Sequence, residues 1–488
     1  MFQRSRTILN NLHKNHKYYL NQDLTVCGWI DTFRVQQKNG LAFISLNDGS
    51  CMTSLQIIID PQSEEELSNY DNIHNRATKG VSIQCFGKII ESPAKGQDIE
   101  MKCKNLKIYG DVDGSVYPIP KNKLKLEHLR QFPHLRIRTK TIASISRIRN
   151  ECSNATHNFF QNNGFKYVHT PILTGNDCEG AGETFSISNT LGKEKELFFG
   201  QEISLTVSGQ LHGETYACGL GDIYTFGPTF RAEDSHTTRH LAEFWMIEPE
   251  MCFIDFKDLI NISEDYLRFV VSHVLEKCEE EIDFFTKHYD QDLKCNLLKI
   301  VENDFRRMTY NEVIEFINND IKNGKAIIRD LTIENKKFKK KAKGKHIFEG
   351  PQTEDGFLPY NYDLDSEHEK YMTTVLDGPL IITHYPKEIK SFYMKETNNG
   401  TVEAMDILLP NIGEIIGGSM REENYNTLKT KMEEKNIEIP WYLDLRKYGS
   451  VPHGGFGLGF ERLIMCVTGI YNIRDVIPYP RYPKHCLM

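Results

Sequence analysis

Short runs of alternating hydrophobic and polar residues recur between residues 24 and 110. They are rich in β-branched and aromatic side chains, and Gly, Asn, Asp and Lys separate them, which is typical of strands and their turns. The runs are LTVCGWI, LAFISLND, SLQIIID, VSIQCFGKII and IEMKCKNLKIYG. Five short strands in so few residues predict a small closed β-barrel.

A barrel of this size and strand number is typical of the OB-fold, which often binds single-stranded nucleic acid. Phe33, Arg34, Phe43 and Gln56 lie on or beside the predicted strands. They supply the aromatic, cationic and amide groups that unstacked bases need. The alternative for each phenylalanine is a place in the barrel core, and the pattern alone leaves this open.

The chain changes character after the barrel. Residues 111–123 contain two prolines, an Asp-Gly turn signal and little periodicity, which indicates a linker. Apolar residues at mostly helical offsets predict a helix over 139–163, which Gly164 ends. The next predicted elements are a strand in FKYVHTPIL, two β-like arms (DIYTFGPTFRAE and EFWMIEPEM) around a polar loop at 234–240, and a helix between Leu259 and Val270.

The expected architecture is α+β. An OB-fold domain over residues 1–110 and a linker or hinge over 111–135 precede a larger domain over 136–488, and 488 residues suffice for two or three such domains. The lysine-rich KKFKKKAKGK, residues 336–345, indicates a solvated surface insertion near 320–360. An RNA-contacting loop is the alternative for this segment.

Charge is distributed unevenly along the chain. The net charge is −8, yet residues 1–145 carry 20 Lys and Arg against 14 Asp and Glu, while the remainder carries 39 against 53. A basic amino-terminal part on an acidic body predicts a local contact with a polyanion and argues against indiscriminate coating of nucleic acid. Chance segregation of charge is the alternative.

Two further features limit the class of protein. No apolar run approaches the roughly 20 residues that a membrane span needs. The closest of the twelve cysteines, Cys278 and Cys295, are 17 apart, so C-x-x-C pairs are absent and reduced thiols are expected. The opening MFQRSRTILNNLHKNHK has no acidic residue, as in a transit segment, but it lacks the apolar core of a secretory signal, so targeting stays open.

Two motifs carry candidate chemistry. Residues 230–244, FRAEDSHTTRHLAEF, crowd two arginines, two histidines and two glutamates onto the predicted hairpin, and HGGFGLGFERLI combines small residues with Arg462. Arginine forks can hold a polyphosphate while a carboxylate accepts a hydrogen bond from an adenine or substrate amine. A surface ladder of salt bridges is the alternative, but flanking apolar residues such as Phe244 and Trp245 would desolvate these charges. No G-x-x-x-x-G-K-[ST] phosphate loop is present.

Three signatures in order resemble those of the class II aminoacyl-tRNA synthetases. GFKYVHTPIL resembles the first, which ends in Pro171, FRAEDSHTTRHLAEFWMIE resembles the second, and GFGLGFERLI the third. With VCGWIDTFR in the barrel, the chain is similar to the aspartate, asparagine and lysine subgroup from about Leu24 to its end. TGNDCEGAGETF, LTVSGQLH and GEIIGGSMREE resemble the asparaginyl members, and VPHGGFGLGFERL with DVIPYPRYPKHC resembles their bacterial and organellar branch.

The resemblance implies both a fold and an activity. The fold is a five-stranded OB-fold barrel that binds the anticodon, followed by a catalytic domain with an antiparallel sheet flanked by helices, in a homodimer joined through the first signature. The activity is the conversion of L-asparagine and ATP to asparaginyl-AMP and pyrophosphate, and then transfer of asparagine to the 3′ end of tRNA(Asn), with Mg²⁺ as cofactor. Membranes and DNA are not expected partners. The cytoplasm is the expected compartment, with a mitochondrion or another organelle as the alternative.

The motif match also assigns residues to the nucleotide. Arg231 is expected to hold the α-phosphate and the substrate carboxylate, and Glu233 the adenine. Arg239 and His240 are expected at the outer phosphates, and Arg462 at the other face of the nucleotide. The remaining expected ATP contacts are Leu241, Glu414, Gly459, Phe460 and Glu461.

Arg231, Glu414 and Arg462 are the expected catalytic residues, with Glu414 also the Mg²⁺ ligand, because this hard cation prefers carboxylate and phosphate oxygen. Arg421 is expected at the α-carboxylate of asparagine. The asparagine contacts are expected to be Glu179, Gln210, Arg231, Glu243 and Arg421, and the anticodon contacts Arg34, Phe43 and Gln56.

Two departures from the aspartyl pattern bear on the substrate. Aspartyl relatives have a Gln-Leu-x-Lys segment whose lysine faces the substrate carboxylate, whereas here Gly213 ends the run that begins at Gln210. A buried carboxylate without that cation would cost on the order of several kcal/mol, and a neutral carboxamide would not. Gly417 stands where some aspartyl relatives have a serine. Because glycine has no side chain to bind a metal, the sequence leaves open whether a second side-chain ligand exists.

Three alternatives remain. An aspartyl-tRNA synthetase, discriminating between tRNAs or not, would share the signatures. An asparagine-forming paralogue generally lacks the barrel that this chain has. A catalytically inactive RNA-binding or regulatory protein would be expected to lose Arg231, Glu414 or Arg462, and all three are present.

Overall fold

The structure of the protein is a computed structural model. It divides into two compact units, an amino-terminal unit, Met1–Ser146, and a carboxyl-terminal unit, Arg147–Met488. The described residues are 5–36, 40–61, 73, 76–119, 124–176, 184–188, 190–191, 196–235, 237–329, 342–351 and 353–488.

The amino-terminal unit is built around the predicted barrel. Its strands are β1 (Asp23–Val35), β2 (Ala42–Asn47), β3 (Leu55–Ile59), β4 (Ser82–Glu91) and β5 (Ile99–Gly110). They close in the order β1-β2-β3-β5-β4, which confirms the five-stranded OB-fold. Ala42, Ile44 and Leu46 of β2 are fully buried, so the intervening side chains of this strand leave the core.

The carboxyl-terminal unit contains fifteen strands in its described part. They are β6 (Lys166–Tyr167), β7 (Leu173–Thr174), β8 (Ser186–Ile187), β9 (Thr190–Leu191), β10 (Glu196–Leu197), β11 (Ile203–Leu205), β12 (Asp222–Phe230), β13 (Glu243–Cys252), β14 (Arg306–Thr309), β15 (Ala326–Ile328), β16 (His346–Phe348), β17 (Leu380–Pro386), β18 (Thr401–Leu409), β19 (Gly413–Met420) and β20 (His453–Gly459).

Eight of these strands form the central sheet, in the order β14-β17-β18-β19-β20-β13-β12-β6. The pairs from β17 through β12 are antiparallel, as expected. The two outermost pairs, β14 with β17 and β12 with β6, are parallel. The sheet is therefore mixed at its edges and antiparallel across its centre.

Helices accompany both units. They are α1 (Leu9–Lys14), α2 (His16–Tyr19), α3 (Leu126–Leu129), α4 (Lys140–Asn162), α5 (Gln210–Leu220), α6 (Phe256–Lys277), α7 (Glu279–His288), α8 (Leu293–Glu302), α9 (Tyr310–Lys322), α10 (Ser366–Val375), α11 (Tyr425–Glu434), α12 (Pro440–Lys447) and α13 (Phe460–Thr468). Short 3₁₀ turns lie at Arg136–Arg138, Lys387–Ile389 and Ile473–Asp475. In the described part of the chain no helix is long and apolar enough to cross a membrane.

Most elements predicted from periodicity are present with shifted ends. The helix predicted between Leu259 and Val270 extends over Phe256–Lys277. It starts earlier because the Asp255 side chain caps its first turn by accepting the backbone N–H of Asp258. The strand predicted in FKYVHTPIL was an overestimate, since only Lys166, Tyr167 and Leu173 of this segment are in strands. Pro171 lacks an N–H group for a ladder, which explains the interruption.

The packing of a charged side chain, Glu250, on one face of the central sheet depends on a glycine in β20. Glu250 of β13, Gly455 of β20 and Ser419 of β19 lie side by side in the register. A methyl group at Gly455 would overlap the carboxyl group of Glu250 and the carbonyl oxygen of Pro249. The absence of a side chain at Gly455 therefore allows Glu250 to extend across β20.

This packing predicts that Gly455→Ala lowers the melting temperature of the protein. Overfilling a packed site typically costs about 1–3 kcal/mol of unfolding free energy. Gly219→Ala is the matched control, because Gly219 lies in α5 and a methyl group there would meet no atom within 4 Å. The control is expected to be neutral or more stable by up to about 1 kcal/mol. Scanning calorimetry tests the pair, and equal melting temperatures would contradict the packing argument.

Candidate active site

A cleft opens over one face of the central sheet in the carboxyl-terminal unit. It is open to solvent and contains about 700 Å³ of space that protein atoms do not occupy. Its walls are the loop between β12 and β13, the start of β19, the glycines of β20 and the start of α13. The lining residues are Arg231, Glu233, Arg239, His240, Leu241, Phe244, Met246, Glu414, Ile415, Gly457, Gly459, Glu461, Arg462 and Ile473. All of the residues predicted for the nucleotide, except Phe460, therefore line one cleft.

The β12–β13 loop forms the first wall. The Arg231 N–H group donates to the carbonyl of Ala242 at 3.1 Å, and its guanidinium lies 5.5 Å from the centre of the Phe244 ring. His240 Nε2 lies 3.5 Å from Glu233. Burial and the nearby arginines lower the pKa of His240 against the opposing effect of Glu233. His240 is therefore suited to hydrogen bonding in its neutral form, and the arginines supply the positive charge.

The opposite wall is an ion pair between β19 and α13. Arg462 Nη1 donates to the carbonyl oxygen of Glu414 at 2.8 Å and lies 3.3 Å from Oε2 of the same residue. Enclosure in the cleft disfavours the charge of Glu414, but Arg462, Lys390 and Arg231 outweigh it and lower the pKa of this carboxyl group. A carboxylate and three guanidinium groups, including that of Arg239, thus face a common space, which suits a polyphosphate.

Glu369, in α10, supports this wall and was absent from the sequence-based prediction. One of its carboxylate oxygens accepts the N–H of Glu414 at 3.1 Å. A side chain at Gly413, whose φ is +76°, would collide with both Glu369 and Arg239. Burial and the Glu414 charge raise the pKa of Glu369 to about 7. Glu369 therefore positions the backbone beside Glu414 and lies close to the Arg239 guanidinium.

The space beside Glu414 is compatible with a magnesium ion. A side chain at Gly417 would begin 2.9 Å from Oε1 of Glu414 and 3.3 Å from Oδ1 of Asp406. Asp406 also accepts a hydrogen bond from Lys390 Nζ at 2.8 Å. No group of three or more Asp, Glu, His or Cys side chains among the described residues could hold a metal. Two carboxylates fit Mg²⁺ only if substrate phosphate oxygens and water complete its ligands.

Beyond the cleft, on the same face of the sheet, two charged residues are paired. Arg421 Nη2 lies 2.5 Å and Nε 3.2 Å from the two carboxylate oxygens of Glu250, and Nη1 donates to Ser419 at 2.8 Å. The side chains of Arg421 and Glu250 are only 3% and 1% exposed. Burial and the nearby Glu214 raise the pKa of Glu250 to about 7, against the effect of Arg421. The pair offers donors and an acceptor with little net charge.

A second buried carboxylate, Glu214 of α5, lies next to this pair. Its oxygens accept hydrogen bonds from Tyr442 at 2.8 and 2.9 Å and from Arg446 at 2.9 Å. His453 Nε2 lies 3.1 Å and Arg421 Nε 3.8 Å from the carboxylate. Burial disfavours its charge, but the cations Arg446, His453 and Arg421 outweigh burial and lower the pKa of Glu214.

Gln210, predicted to line the substrate pocket, contacts this cluster. Its side-chain amide donates to Glu214 Oε1 at 3.1 Å, and its backbone N–H donates to Ser208 Oγ at 3.1 Å. Glu248 accepts the N–H of Gly209 at 2.9 Å and also binds the Ser208 hydroxyl. The start of α5 is therefore fixed by carboxylates of the sheet and of the helix itself.

The other predicted residues are placed differently. Glu461 lines the cleft, but its carboxylate oxygens already accept bonds from Arg149 at 2.7 Å and from the N–H of Trp245 at 2.9 Å. Phe460 is buried, with the Arg149 guanidinium 4.5 Å from its ring centre. Glu243 begins β13 and does not line the cleft. Glu179 lies outside the described residues, as do residues 336–341 of the lysine-rich segment.

The barrel unit has its own candidate site. Arg34 of β1 pairs with Phe43 of β2, and the guanidinium lies 4.9 Å from the ring centre. Arg34 Nη2 donates to Gln56 of β3 at 3.5 Å. Phe43 is half-buried and lies outside the core of the barrel, so the core alternative for this residue is wrong. Phe33, in contrast, packs against the core.

Sequence reasoning missed several charged residues near the cleft. They are Glu214, Glu248, Glu250, Glu369, Lys390, Asp406, Arg446 and His453. The only available signal was local: Glu248 and Glu250 interrupt the apolar strand run EFWMIEPEM, where a charge is rarely tolerated without a partner. The partners themselves lie far away in sequence.

Two family models match the chain. One, described as class II tRNA synthetases (D, K and N), matches residues 125–483. The other, described as an OB-fold nucleic acid binding domain, matches residues 24–109. Together they span most of the chain.

Individual proteins are similar over nearly the full length. The asparagine–tRNA ligase of Protochlamydia amoebophila is 45% identical over 481 residues, covering 95% of each chain. That of Treponema denticola is 46% identical, covering 95% of this chain and 96% of its own. The crystal structure of asparaginyl-tRNA synthetase from Pyrococcus horikoshii complexed with asparaginyl-adenylate is 28% identical, with a TM-score of 0.81 and full coverage of both chains.

The family match covers well over half of the chain, and the relatives exceed 40% identity over about 95% of it. The ordered signatures and the cleft agree with this match. The chain therefore belongs to the class II tRNA synthetases of the aspartate, lysine and asparagine group.

Proposed function

We infer that the chain is an asparagine–tRNA ligase, which activates L-asparagine with ATP and transfers it to the 3′ end of tRNA(Asn). The observation that carries this inference is the buried Arg421–Glu250 pair next to a cleft lined by arginines. The similarity to asparagine–tRNA ligases over about 95% of the chain supports it.

The Arg421–Glu250 pair supports recognition of a carboxamide. Arginine N–H groups donate to the amide oxygen, and a carboxylate accepts from the amide nitrogen. A side-chain carboxylate would meet Glu250 as a like charge and would find the Arg421 charge already compensated. The motif match assigns both Arg421 and Arg231 to the α-carboxylate. We propose that Arg231 takes this group and that Arg421 binds the carboxamide instead.

Adenylate formation then needs alignment and charge neutralisation. The α-carboxylate of asparagine is ionised at neutral pH, so it attacks the α-phosphorus without a general base, and pyrophosphate leaves. We assign Arg231 to the α-phosphate, Arg239 and His240 to the outer phosphates, and Arg462 to the opposite face. Preorganised donors of this kind stabilise the developing charge without reorganisation.

Glu414 is the residue that we propose to hold Mg²⁺, with Asp406 as its neighbour. The ion, when bound, would neutralise phosphate charge as a Lewis acid. Glu369 and Arg462 keep the Glu414 backbone and side chain in place, and Gly417 keeps the space between the carboxylates open.

The finer assignments of assembly and compartment are also proposals. We propose a homodimer joined through the first signature, where Tyr167, Ile172 and Leu173 are between 39% and 45% exposed. We propose the cytoplasm as compartment, with an organelle as the alternative, and domain bounds of 1–110, 111–135 and 136–488.

Asparagine is expected to support ATP–pyrophosphate exchange, and aspartate is not. A buried site whose polar groups match one side chain can discriminate against another by orders of magnitude in kcat/KM. The kcat/KM for asparagine should therefore exceed that for aspartate by more than about 10³. Radiolabelled pyrophosphate exchange with each amino acid measures it. Equal exchange would favour the aspartyl alternative.

Arg231→Ala and Arg462→Ala are each expected to slow asparagine-dependent exchange by about 10²- to 10³-fold. Removal of a charge-assisted donor aimed at transition-state charge typically costs roughly 3–4 kcal/mol. Arg306→Ala is the matched control, because Arg306 is exposed and does not line the cleft. Near-normal exchange by a folded Arg231 or Arg462 variant would contradict the assignment of that residue to the active site.

Phe43→Ala is expected to weaken tRNA charging by about ten- to a hundredfold, because stacking on a base contributes roughly 1–3 kcal/mol. We propose that Phe43 stacks on the central uridine of the anticodon and that Arg34 and Gln56 bind its edge. Pyrophosphate exchange, which needs no tRNA, should be unchanged.

Phe86→Ala is the matched control for this variant, since Phe86 is an exposed aromatic residue of β4 outside the Arg34–Phe43–Gln56 face. Arg34→Ala should also reduce the salt dependence of tRNA binding. A stable Phe43 variant that charges tRNA normally would refute the anticodon assignment.

A further inference from the structure

Glu214 occupies an unusual position between the substrate pocket and the buried core. It is four residues after Gln210 in α5, and residues with this spacing lie on the same face of a helix. Gly213 lies on that face too, where a side chain would begin 3.4 Å from Ile223 and 3.6 Å from Glu250. These distances are ordinary van der Waals contacts, so α5 packs directly on β12 and β13 at this point, and Glu214 reaches the Arg421–Glu250 pair.

The contacts of Glu214 fall into two groups. Toward the pocket, it accepts from the Gln210 amide at 3.1 Å and lies 3.8 Å from Arg421 Nε. Away from the pocket, it accepts from Tyr442 and Arg446 of α12, at 2.8 to 2.9 Å. Glu214 is completely buried. The Glu214 carboxylate thus links Gln210 and Arg421, which are expected to contact the substrate, to α12, whose Arg446 supplies the opposite charge.

His453 strengthens this connection. Its Nδ1 lies 2.8 Å from the carbonyl oxygen of Val451, and its Nε2 lies 3.1 Å from Glu214. Both ring nitrogens face an acceptor, and Arg446 Nη2 also lies 3.3 Å from Nε2. The two acceptors favour a protonated ring, and the Arg446 charge opposes it. Glu214 accordingly has donors on several sides, which leaves its carboxylate little freedom to rotate.

We propose that Glu214 is a positioning residue of the asparagine site, which fixes the side chains of Gln210 and Arg421 in the orientation that binds the substrate. This proposal rests on the proposed function. Glu214 need not touch asparagine, because its effect passes through the two residues that it holds. A misplacement of about 1 Å in such groups can cost on the order of a hundredfold in rate.

Glu214→Gln tests this role, since it keeps the size of the side chain and removes its charge. An amide can no longer accept from all of its donors, so Arg421 and Gln210 lose their fixed orientation. The KM for asparagine in pyrophosphate exchange should rise about ten- to a hundredfold. The KM for ATP should stay within about twofold, because the phosphate-binding arginines are untouched.

Tyr266→Phe is the matched control. It removes a buried hydroxyl whose hydrogen bond to Thr156 lies outside the Glu214 cluster. It should lower the melting temperature but leave the KM for asparagine nearly unchanged. An equal rise of this KM in both variants, or a parallel rise of both KM values in Glu214→Gln, would mean that Glu214 has only a structural role.

The double variant Glu214→Gln/Arg446→Met covers the case in which the single variant does not fold. Replacing both members of a buried ion pair is tolerated much better than removing one. The double variant should fold and still show the raised KM for asparagine. A normal KM in this variant would overturn the proposal. Absence of asparagine-dependent exchange in the unmodified protein would instead contradict the proposed function.

Discussion

The burial of two carboxylates, Glu214 and Glu250, is the constraint on which the active-site region depends. An isolated buried carboxylate would be strongly unfavourable, so each one requires a cation and several hydrogen-bond donors. Arg421 and Arg446 supply those charges, and they come from the end of β19 and from α12. The requirement therefore fixes how the helices α5 and α12 pack against the sheet, as well as which groups are available to a substrate.

Glycine residues in β20 are the second feature that makes the burial of these charged groups possible. Glu250 of β13 meets Arg421, which follows β19, in the space that the absence of a side chain at Gly455 of β20 leaves open. Further along the same face, Gly457 and Gly459 line the cleft that we propose for the nucleotide, and the absence of side chains there would let a bulky ligand approach the backbone closely. In this proposal the glycine-rich third signature serves packing at one end of the strand and ligand access at the other.

The sequence predicted best those features that depend on local pattern. The period-two alternation in β2 and β3 identifies which side chains leave the barrel core, and the hairpin motif collects Arg231, Glu233 and His240 in one cleft. The ion pairs are different, because their members are distant in the chain: Glu214 and Arg446 are 232 positions apart. A glutamate in a helix looks the same in sequence whether it is solvated or buried, so only the tertiary structure reveals its partner.

The two candidate sites solve different recognition problems, and their physical means differ accordingly. On the barrel face that we propose for tRNA, Arg34 is exposed and Phe43 is half-buried. Phe43 would contribute by stacking on a base, and Arg34 by an electrostatic attraction that salt screens. The proposed amino-acid site must separate asparagine from aspartate, which differ only in carrying a carboxamide or a carboxylate. This discrimination requires desolvated partners with fixed orientation. In our proposal this selectivity depends on the positions of Arg421 and Glu250, and the charge of Glu214 helps to fix Arg421.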